Sequence, residues 1–325
     1  MSIQEVSRLS GVSMATVSRV IHQKSGHFSE ETGNRVRDVM RRLNYTPDAV
    51  AQGMRMQSMP IVGIIVPDIM DENYALMVRT IQSELFAKGY TTIIFNSNEN
   101  SSLSQHCINT LKMQHASGLI YVPDSDGRGV QAEGMPIVYF DRQPPNVMPT
   151  NSVIVELDNK NGAKNAVTCL IETGCHQIAL LSDRFGISSH QARIDGYDAA
   201  MEEYGLESGP RLLVDPQRTS EAIAALENVL SHPVHIDGIF CTSVRLTVGA
   251  LTVLHQHGIS QQKVRVLGFG EHRLHRYGLL PYMAVHEPII EMAVVAVQQL
   301  LQLFQGENPL QSRIIIPVGD VSAPQ

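Results

Sequence analysis

Two groups of residues have the types and spacing for recognition chemistry. The first is the run Gly11-Val12-Ser13-Met14-Ala15-Thr16-Val17-Ser18-Arg19-Val20. The hydroxyls of Ser13, Thr16 and Ser18 suit phosphate oxygens, Met14 and Ala15 offer apolar contact to thymine methyl groups, and Arg19 can fork onto a guanine edge. The second group is dispersed. Polar or ionisable residues follow nearly every apolar run: Asp68 to Tyr74, Asn96 to Asn98, Pro123-Asp124, Asp141-Arg142, Ser182 to Ser189, Thr242-Ser243 and Gly270 to His272. At the carboxyl ends of parallel strands such residues gather around a cleft, where paired donors and acceptors grip a hydroxyl-rich ligand.

Short helices must position the first group. Ser2 and Glu5 form a capping box ahead of a helix with Ile3, Val6 and Leu9 on its inner face, and Gly11 ends it. Ser13 caps a second helix and Ser29 a third, whose Val36, Val39, Met40 and Leu43 have the spacing of one buried stripe. Two short helices joined by a glycine-containing turn form a helix-turn-helix, whose second helix fits the major groove of DNA.

Strands must position the second group. From Pro60 onward, apolar runs alternate with amphipathic stretches: strands at 61–66, 91–95, 118–122, 137–140, 177–181, 238–241 and 264–268, and helices at 74–88, 104–115, 162–172, 191–204 and 246–257. A chain of 325 residues with this rhythm is an all-α helix-turn-helix head plus an α/β core of two doubly wound subdomains.

Charge separates the two parts. The whole chain carries −7, yet residues 1–58 hold eight Lys or Arg against five Asp or Glu, leaving −10 for the remainder. Only the head therefore suits a polyanion. The four cysteines, Cys107, Cys169, Cys175 and Cys241, are scattered without a CxxC pair, the pattern of reduced thiols in a cytoplasmic protein. No export signal precedes the first helix, and no apolar run reaches the eighteen or so residues that span a bilayer.

Catalysis and metal binding find little support. The histidines of His255-x-His257 and His272-x-x-His275 lack companion ligands at clear spacing and read as surface residues, and Cys241 reads as a buried packing thiol beside Phe240. No nucleophile elbow, phosphate loop or dinucleotide fingerprint is present. The expectation is a protein without cofactor, catalytic residue or metal.

The chain resembles the LacI/GalR family of transcription regulators. The likeness lies in Gly11-Val12-Ser13, Thr16-Val17-Ser18-Arg19-Val20, Asn44-Tyr45-Thr46-Pro47 and Ala49-Val50-Ala51-Gln52, and resumes at Asp158-Asn159, Gly174-Cys175-His176, Arg193-Ile194-Asp195-Gly196-Tyr197 and Gly268-Phe269. It implies a helix-turn-helix domain over 1–46, a hinge helix and linker over 47–58, and a periplasmic-binding-protein-like core over 59–325. The core's N-subdomain is about 59–157 plus 289–316 and its C-subdomain about 158–288. By position Met54 takes the place of the leucine that wedges into the minor groove, with Gly53 beside it weakening the hinge helix by roughly 1 kcal/mol. DNA contacts are then expected from Ser13, Met14, Ala15, Thr16, Ser18, Arg19, His22, Ala51, Met54 and Arg55.

Arg193 matches the family's effector-clamping arginine and Tyr74 its pocket aromatic. The expected effector set is Asp68, Asn73, Tyr74, Asp141, Arg142, Asp183, Arg193, Ser243, Glu271 and Glu287. Two positions depart from the family. Ser243-Val244 stands where many members have Asn-Asp, and Gly270 where an Asp is usual, putting a plain aldohexose or purine effector in doubt. Thr242-Ser243, Phe269-Gly270-Glu271 and Asp141-Arg142 are more similar to the fructose and sucrose repressor branch, and Arg142, Arg184, Arg193, Arg245 and Arg273 near the strand ends suit a phosphate or carboxylate.

The implied protein is a cytoplasmic bacterial repressor of a carbohydrate operon, nucleoid-associated when bound. Its partners are a near-palindromic double-stranded operator, a second copy of itself and a sugar or sugar-phosphate effector, without a membrane. The alternatives from other classes are a cytosolic sugar receptor or a carbohydrate-converting enzyme, neither with a DNA role. The C-terminal Ile314 to Gln325 carries no heptad repeat, which argues against a tail-built tetramer. Replacing Arg19 by Ala is expected to cost about 1–3 kcal/mol on the cognate site and to relax specificity there, whereas Arg55→Ala weakens binding across sequences. Anisotropy titrations on cognate and scrambled duplexes check this, and an equal loss on both for Arg19→Ala removes its base-reading role.

Overall fold

The computed structural model describes residues 3–21, 28–43, 59–145, 148–215, 218–231, 235–306 and 311–322. It divides into two units, Met1–Met59 and Pro60–Gln325. The expected cap Ser2 and the hinge over 47–58 lie outside the described residues.

The first unit contains α1 (Ile3–Ser10), α2 (Met14–Ile21) and α3 (Glu30–Arg42). Val6, Val17, Val20 and Val36 form its small core, with Val12, Phe28, Val39, Met40 and Leu43 packed around them. Leu9, expected inside, is 50% exposed. Ser10 is buried instead, because it falls one turn after Val6 and its hydroxyl is satisfied by the Val6 carbonyl at 2.6 Å. Gly11 turns the chain with φ +69°, and Ser7 Oγ fastens the turn by donating to the Val12 carbonyl at 2.6 Å. Ser13 and Ser29 cap the next two helices by accepting from the amides of Thr16 and Thr32, each at 3.2 Å.

The second unit holds two six-stranded sheets. The first contains β1 (Ile61–Val66), β2 (Thr91–Asn96), β3 (Gly118–Tyr121), β4 (Ile137–Phe140), β5 (Ser152–Leu157) and, far along the chain, β11 (Arg313–Ile316). Their order is β11-β5-β4-β3-β1-β2, and every pairing is parallel. The second contains β6 (Ile178–Asp183), β7 (Arg211–Val214), β8 (Gly238–Cys241), β9 (Arg265–Phe269), β10 (Met283–Val285) and β12 (Val321–Ser322). Their order is β12-β10-β9-β8-β6-β7, with only β12 antiparallel. The chain therefore passes between sheets three times: after β5, after β10 and between β11 and β12.

Helices cover the sheets: α4 (Glu72–Ala87), α5 (Ser101–Met113), α6 (Asn159–Glu172), α7 (Ser188–Glu203), α8 (Thr219–Ser231), α9 (Val244–Gln256), the single turn α10 (Arg273–Arg276) and α11 (Ile289–Phe304). Five of these start two or three residues before the positions expected from hydrophobic periodicity. Asp71, Asn100, Asp158 and Ser243 cap α4, α5, α6 and α9, so the polar first turns are helical although they contain no apolar stripe. The strand ends and helix starts of both sheets meet at the two switch points, between β1 and β3 and between β6 and β8, where α/β sheets hold ligands.

Helices α6 and α7 cross closely at Gly196, which faces the Lys160 carbonyl, the Lys164 amide and the Ala163 methyl. A Cβ on Gly196 would lie 2.3 Å from the Lys160 carbonyl oxygen and 2.9 Å from the Lys164 amide nitrogen, atoms that cannot step aside. Gly196→Ala is therefore expected to destabilise the core by about 1–3 kcal/mol. Urea denaturation checks it, and an unchanged midpoint rules out the close crossing.

Candidate functional site

In the second unit a cavity of about 110 Å³ opens at the carboxyl ends of both sheets. That volume holds several waters or one small molecule. From the first sheet come Asp68, Asp71, Asn73 and Tyr74 after β1, Glu99 after β2, and Phe140, Asp141 and Arg142 at the end of β4. From the second come Ile187, His190 and Arg193 on the β6–α7 segment, Ser243, Val244 and Arg245 after β8, Phe269 in β9, and Glu287 and Ile289 after β10.

Arg193 is the most constrained of these. Its Nε donates to Asn159 Oδ1 at 2.8 Å, Nη1 to the Thr242 carbonyl at 2.7 Å and Nη2 to Glu287 Oε1 at 2.8 Å, with the guanidinium 3.7 Å over the Phe269 ring. Three of its five N–H groups are thereby used, and the other two have no hydrogen-bond partner among the described residues. Glu287 Oε2 accepts from Asn73 Nδ2 at 2.6 Å, so one carboxylate joins residues of both sheets. Burial raises the Glu287 carboxyl above its usual range, and Arg193 offsets this only partly.

Gly270 explains how Glu287 reaches this position. Its φ is +99°, and a Cβ there would stand 2.5 Å from Glu287 Oε2. The carboxylate occupies the space that a side chain at 270 would fill.

Arg142 is the second buried guanidinium. Glu99 grips it with both oxygens, at 2.9 and 3.0 Å, and the Pro123 carbonyl accepts a further bond at 2.9 Å. Its Nε is buried without a hydrogen-bond partner, 3.9 Å from Asp141 Oδ2. Burial opposes the Arg142 charge, but the oxygens of Tyr74, Glu99 and Asp141 more than compensate. Asp141 and Glu99 both have left-handed backbone, φ +66° and +55°, which costs an L residue about 1–2 kcal/mol each. The strain is concentrated at the cavity wall, where it turns Asp141 and Glu99 toward Arg142. Burial also raises the Tyr74 phenol well above its usual range, so it stays protonated and donates to Asp141 at 3.1 Å.

Further bonds cross the cleft. Arg245 donates to Asp68 at 2.7 Å, the Arg273 amide to Glu72 at 3.1 Å and the Gln143 amide to Ser188 Oγ at 2.8 Å. His190 Nδ1 lies 2.5 Å from Asp183, whose carboxyl is pushed up by burial but held below its usual range overall by that imidazole.

Of the residues expected from sequence, Asp68, Asn73, Tyr74, Asp141, Arg142, Arg193, Ser243 and Glu287 line the cavity. Asp183 and Glu271 do not. Asp183 lies behind His190, and Glu271 lines an adjoining groove, where it faces Arg276 at 3.2 Å and His286 at 3.3 Å. Asp71 lay inside the Asp68–Tyr74 stretch but outside the expected effector set, and Glu99 and His190 lay one residue beyond the Asn96–Asn98 and Ser182–Ser189 stretches. The expectation of five arginines around one cleft is corrected. Arg184 pairs with Glu221, and Arg273 is 74% exposed beside Glu72, because long cations remain in water unless a carboxylate awaits them inside. Asp124 is likewise structural, accepting from Ser104 at 2.6 Å, Tyr121 at 2.7 Å and Ser97.

His275, expected at the surface, is buried between the Leu280 carbonyl and Ser322 Oγ, both at 3.1 Å. No group of metal-ligating side chains occurs among the described residues. Burial pushes the Cys241 thiol up to about 12, opposite to what a nucleophile needs.

In the first unit, Ser13 and Met14 are exposed at the start of α2 and Thr16 is half-buried, its hydroxyl 2.9 Å from Ser13 Oγ. Ala15, Ser18 and Arg19 belong to α2 by backbone; their side chains are outside the described set, as are His22, Ala51, Met54 and Arg55. No helix among the described residues is long and apolar enough to cross a membrane.

Residues 2–48 match the family model described as bacterial regulatory proteins, lacI family. Residues 59–315 match that of the periplasmic binding proteins and sugar binding domain of LacI family. Among similar proteins, the HTH-type transcriptional regulator GalR of Escherichia coli (strain K12) is 28% identical over 309 residues, 93% of this chain and 89% of its own. The sucrose operon repressor of Pediococcus pentosaceus is 28% identical over 321 residues, 97% of this chain and 96% of its own. Among solved structures, the lac repressor dimer bound to operator and the anti-inducer ONPF superposes with a TM-score of 0.76 at 21% identity, covering 100% of this chain and 98% of that one.

The close approach of Gly270 to Glu287 yields a coupled effect. Gly270→Ala alone is expected to cost about 1–3 kcal/mol by displacing the carboxylate. In a Glu287→Ala background the added cost falls by at least about 0.5 kcal/mol, the signature of two groups in contact. A denaturant double-mutant cycle measures this, and equal costs in both backgrounds contradict the packing.

Proposed function

The chain belongs to the LacI family of bacterial regulatory proteins, and on that premise we propose that it represses a carbohydrate-utilisation operon under the control of a small polyhydroxylated effector. The carrying observation is Arg193, buried in the cavity wall, with two N–H donors unused among the described residues. Serine-capped α2 presents Ser13 and Met14 to solvent at its start, as a groove-reading helix must.

Two copies would read two half-sites of a near-palindromic operator, since one such helix covers too few base pairs for specificity. The effector acts by population shift. It binds one closure state of the cleft better by about 1–3 kcal/mol, which changes operator affinity by about 5- to 150-fold. We place the protein in the cytoplasm and outside the enzymes. The similar proteins are named as regulators and repressors, and Glu287 is occupied by ion pairing and hydrogen bonding rather than poised for proton transfer.

Arg193→Ala is expected to weaken effector binding by about tenfold or more, the worth of a hydrogen bond from a charged donor, while effector-free operator binding persists. Fluorescence anisotropy on labelled operator, with and without a sugar panel, checks both halves. A variant that still responds like the parent removes the cavity from the mechanism.

A further inference from the structure

The charges around the cavity do not balance. Arg142 is held by Glu99 through both carboxylate oxygens, Arg193 by Glu287 and Arg245 by Asp68. Each guanidinium is already neutralised by its own carboxylate, so an anion bound at its remaining N–H groups would bring uncompensated negative charge into the cavity. Two further lining carboxylates remain: Asp71, and Asp141, whose Oδ2 stands 3.9 Å from the Nε of Arg142, a guanidinium already bonded to both oxygens of Glu99. Asp71 caps α4, accepting from the amides of Asn73 at 2.9 Å and Tyr74 at 3.4 Å. Asp141 accepts through Oδ2 from the neutral Tyr74 phenol at 3.1 Å, and its Oδ1 takes no hydrogen bond from any described residue. His190 adds no net positive charge, since any proton it gains is matched by Asp183 at 2.5 Å.

Five lining carboxylates therefore face three guanidiniums, and an ammonium group entering the site would offset the surplus negative charge. A phosphate or carboxylate would increase it. We propose that the effector is a small polyol bearing a protonated amine, of the amino-sugar or amino-polyol class, with its ammonium facing Asp141 and its hydroxyls meeting the two unused N–H groups of Arg193. Burial chiefly raises the Glu287 carboxyl, and the neighbouring charges of Asp141 and Asp71 add to the rise. This proposal rests on the cavity being the effector site.

Calorimetric titration of the full-length protein tests it. The probes are D-glucosamine, D-galactosamine and D-mannosamine, each set beside its parent hexose, its N-acetyl derivative and its 6-phosphate ester. At least one amine is expected to bind about tenfold or more tightly than its parent and its N-acetyl derivative, the difference between a charge-assisted and a neutral hydrogen bond. That preference should fall to near parity in Asp141→Asn. The comparison with the N-acetyl sugar reads the charge in the unmodified protein, independently of whether the variant folds. A parent hexose or phosphate ester that binds more tightly than its amine overturns the amine assignment and leaves the effector site standing. Silence from every probe overturns both.

Discussion

The buried pair between Arg193 and Glu287 is the constraint on which the rest of the core depends. The two side chains are only 5% and 8% exposed, and charges removed so far from water persist only when their geometry is satisfied. Satisfying it fixes several elements together. Asn159 at the start of α6, the Thr242 carbonyl at the end of β8 and the Phe269 ring must all surround the guanidinium, while Glu287 must sit where the chain leaves the second sheet. The bond from Asn73 to the same carboxylate extends this constraint to the first sheet.

The other bonds across the cleft are of a different kind. Arg245 and Asp68 are each about one-third exposed, and Glu72 with Arg273 more so, so solvent and salt reduce their worth to about 0–1 kcal/mol apiece. Of the polar bonds described across the cleft, that to Glu287 is buried and these are weak. A two-state element balanced within a few kcal/mol is one that a small ligand can tip, because a ligand shifts an equilibrium only by its differential affinity. The strained backbones of Asp141 and Glu99 serve the same site, storing cost where side-chain direction matters most.

Part of the site was legible from residue type and place. Tyr74, Asp141, Arg142 and Ser243 follow strands or begin helices, and parallel sheets deliver such positions to one edge, whereas Arg193, in the second turn of α7, was legible through the family resemblance. Glu99 and His190 were not, since nothing local distinguishes a carboxylate that faces a guanidinium 43 residues away, or an imidazole backed by a buried aspartate, from ordinary loop residues. Strand β5 was hidden for a similar reason. It carries Glu156, buried because Gln143 and Arg313 reach it from 13 and 157 residues away.

What the sequence by itself determined was the class of the molecule: a basic three-helix head with serine caps and a glycine turn, then alternating apolar strands and amphipathic helices. Those features arise from neighbours within one or two turns, where side-chain periodicity and capping act directly on the backbone. Only the tertiary structure decided which charges neutralise one another. The arginines read as an anion site are held by Glu99, Glu287 and Asp68, brought to them across one cleft from distant parts of the chain. Charge pairing acts through space and depends on burial, so the electrostatic character of the cavity emerged only when both sheets were in place.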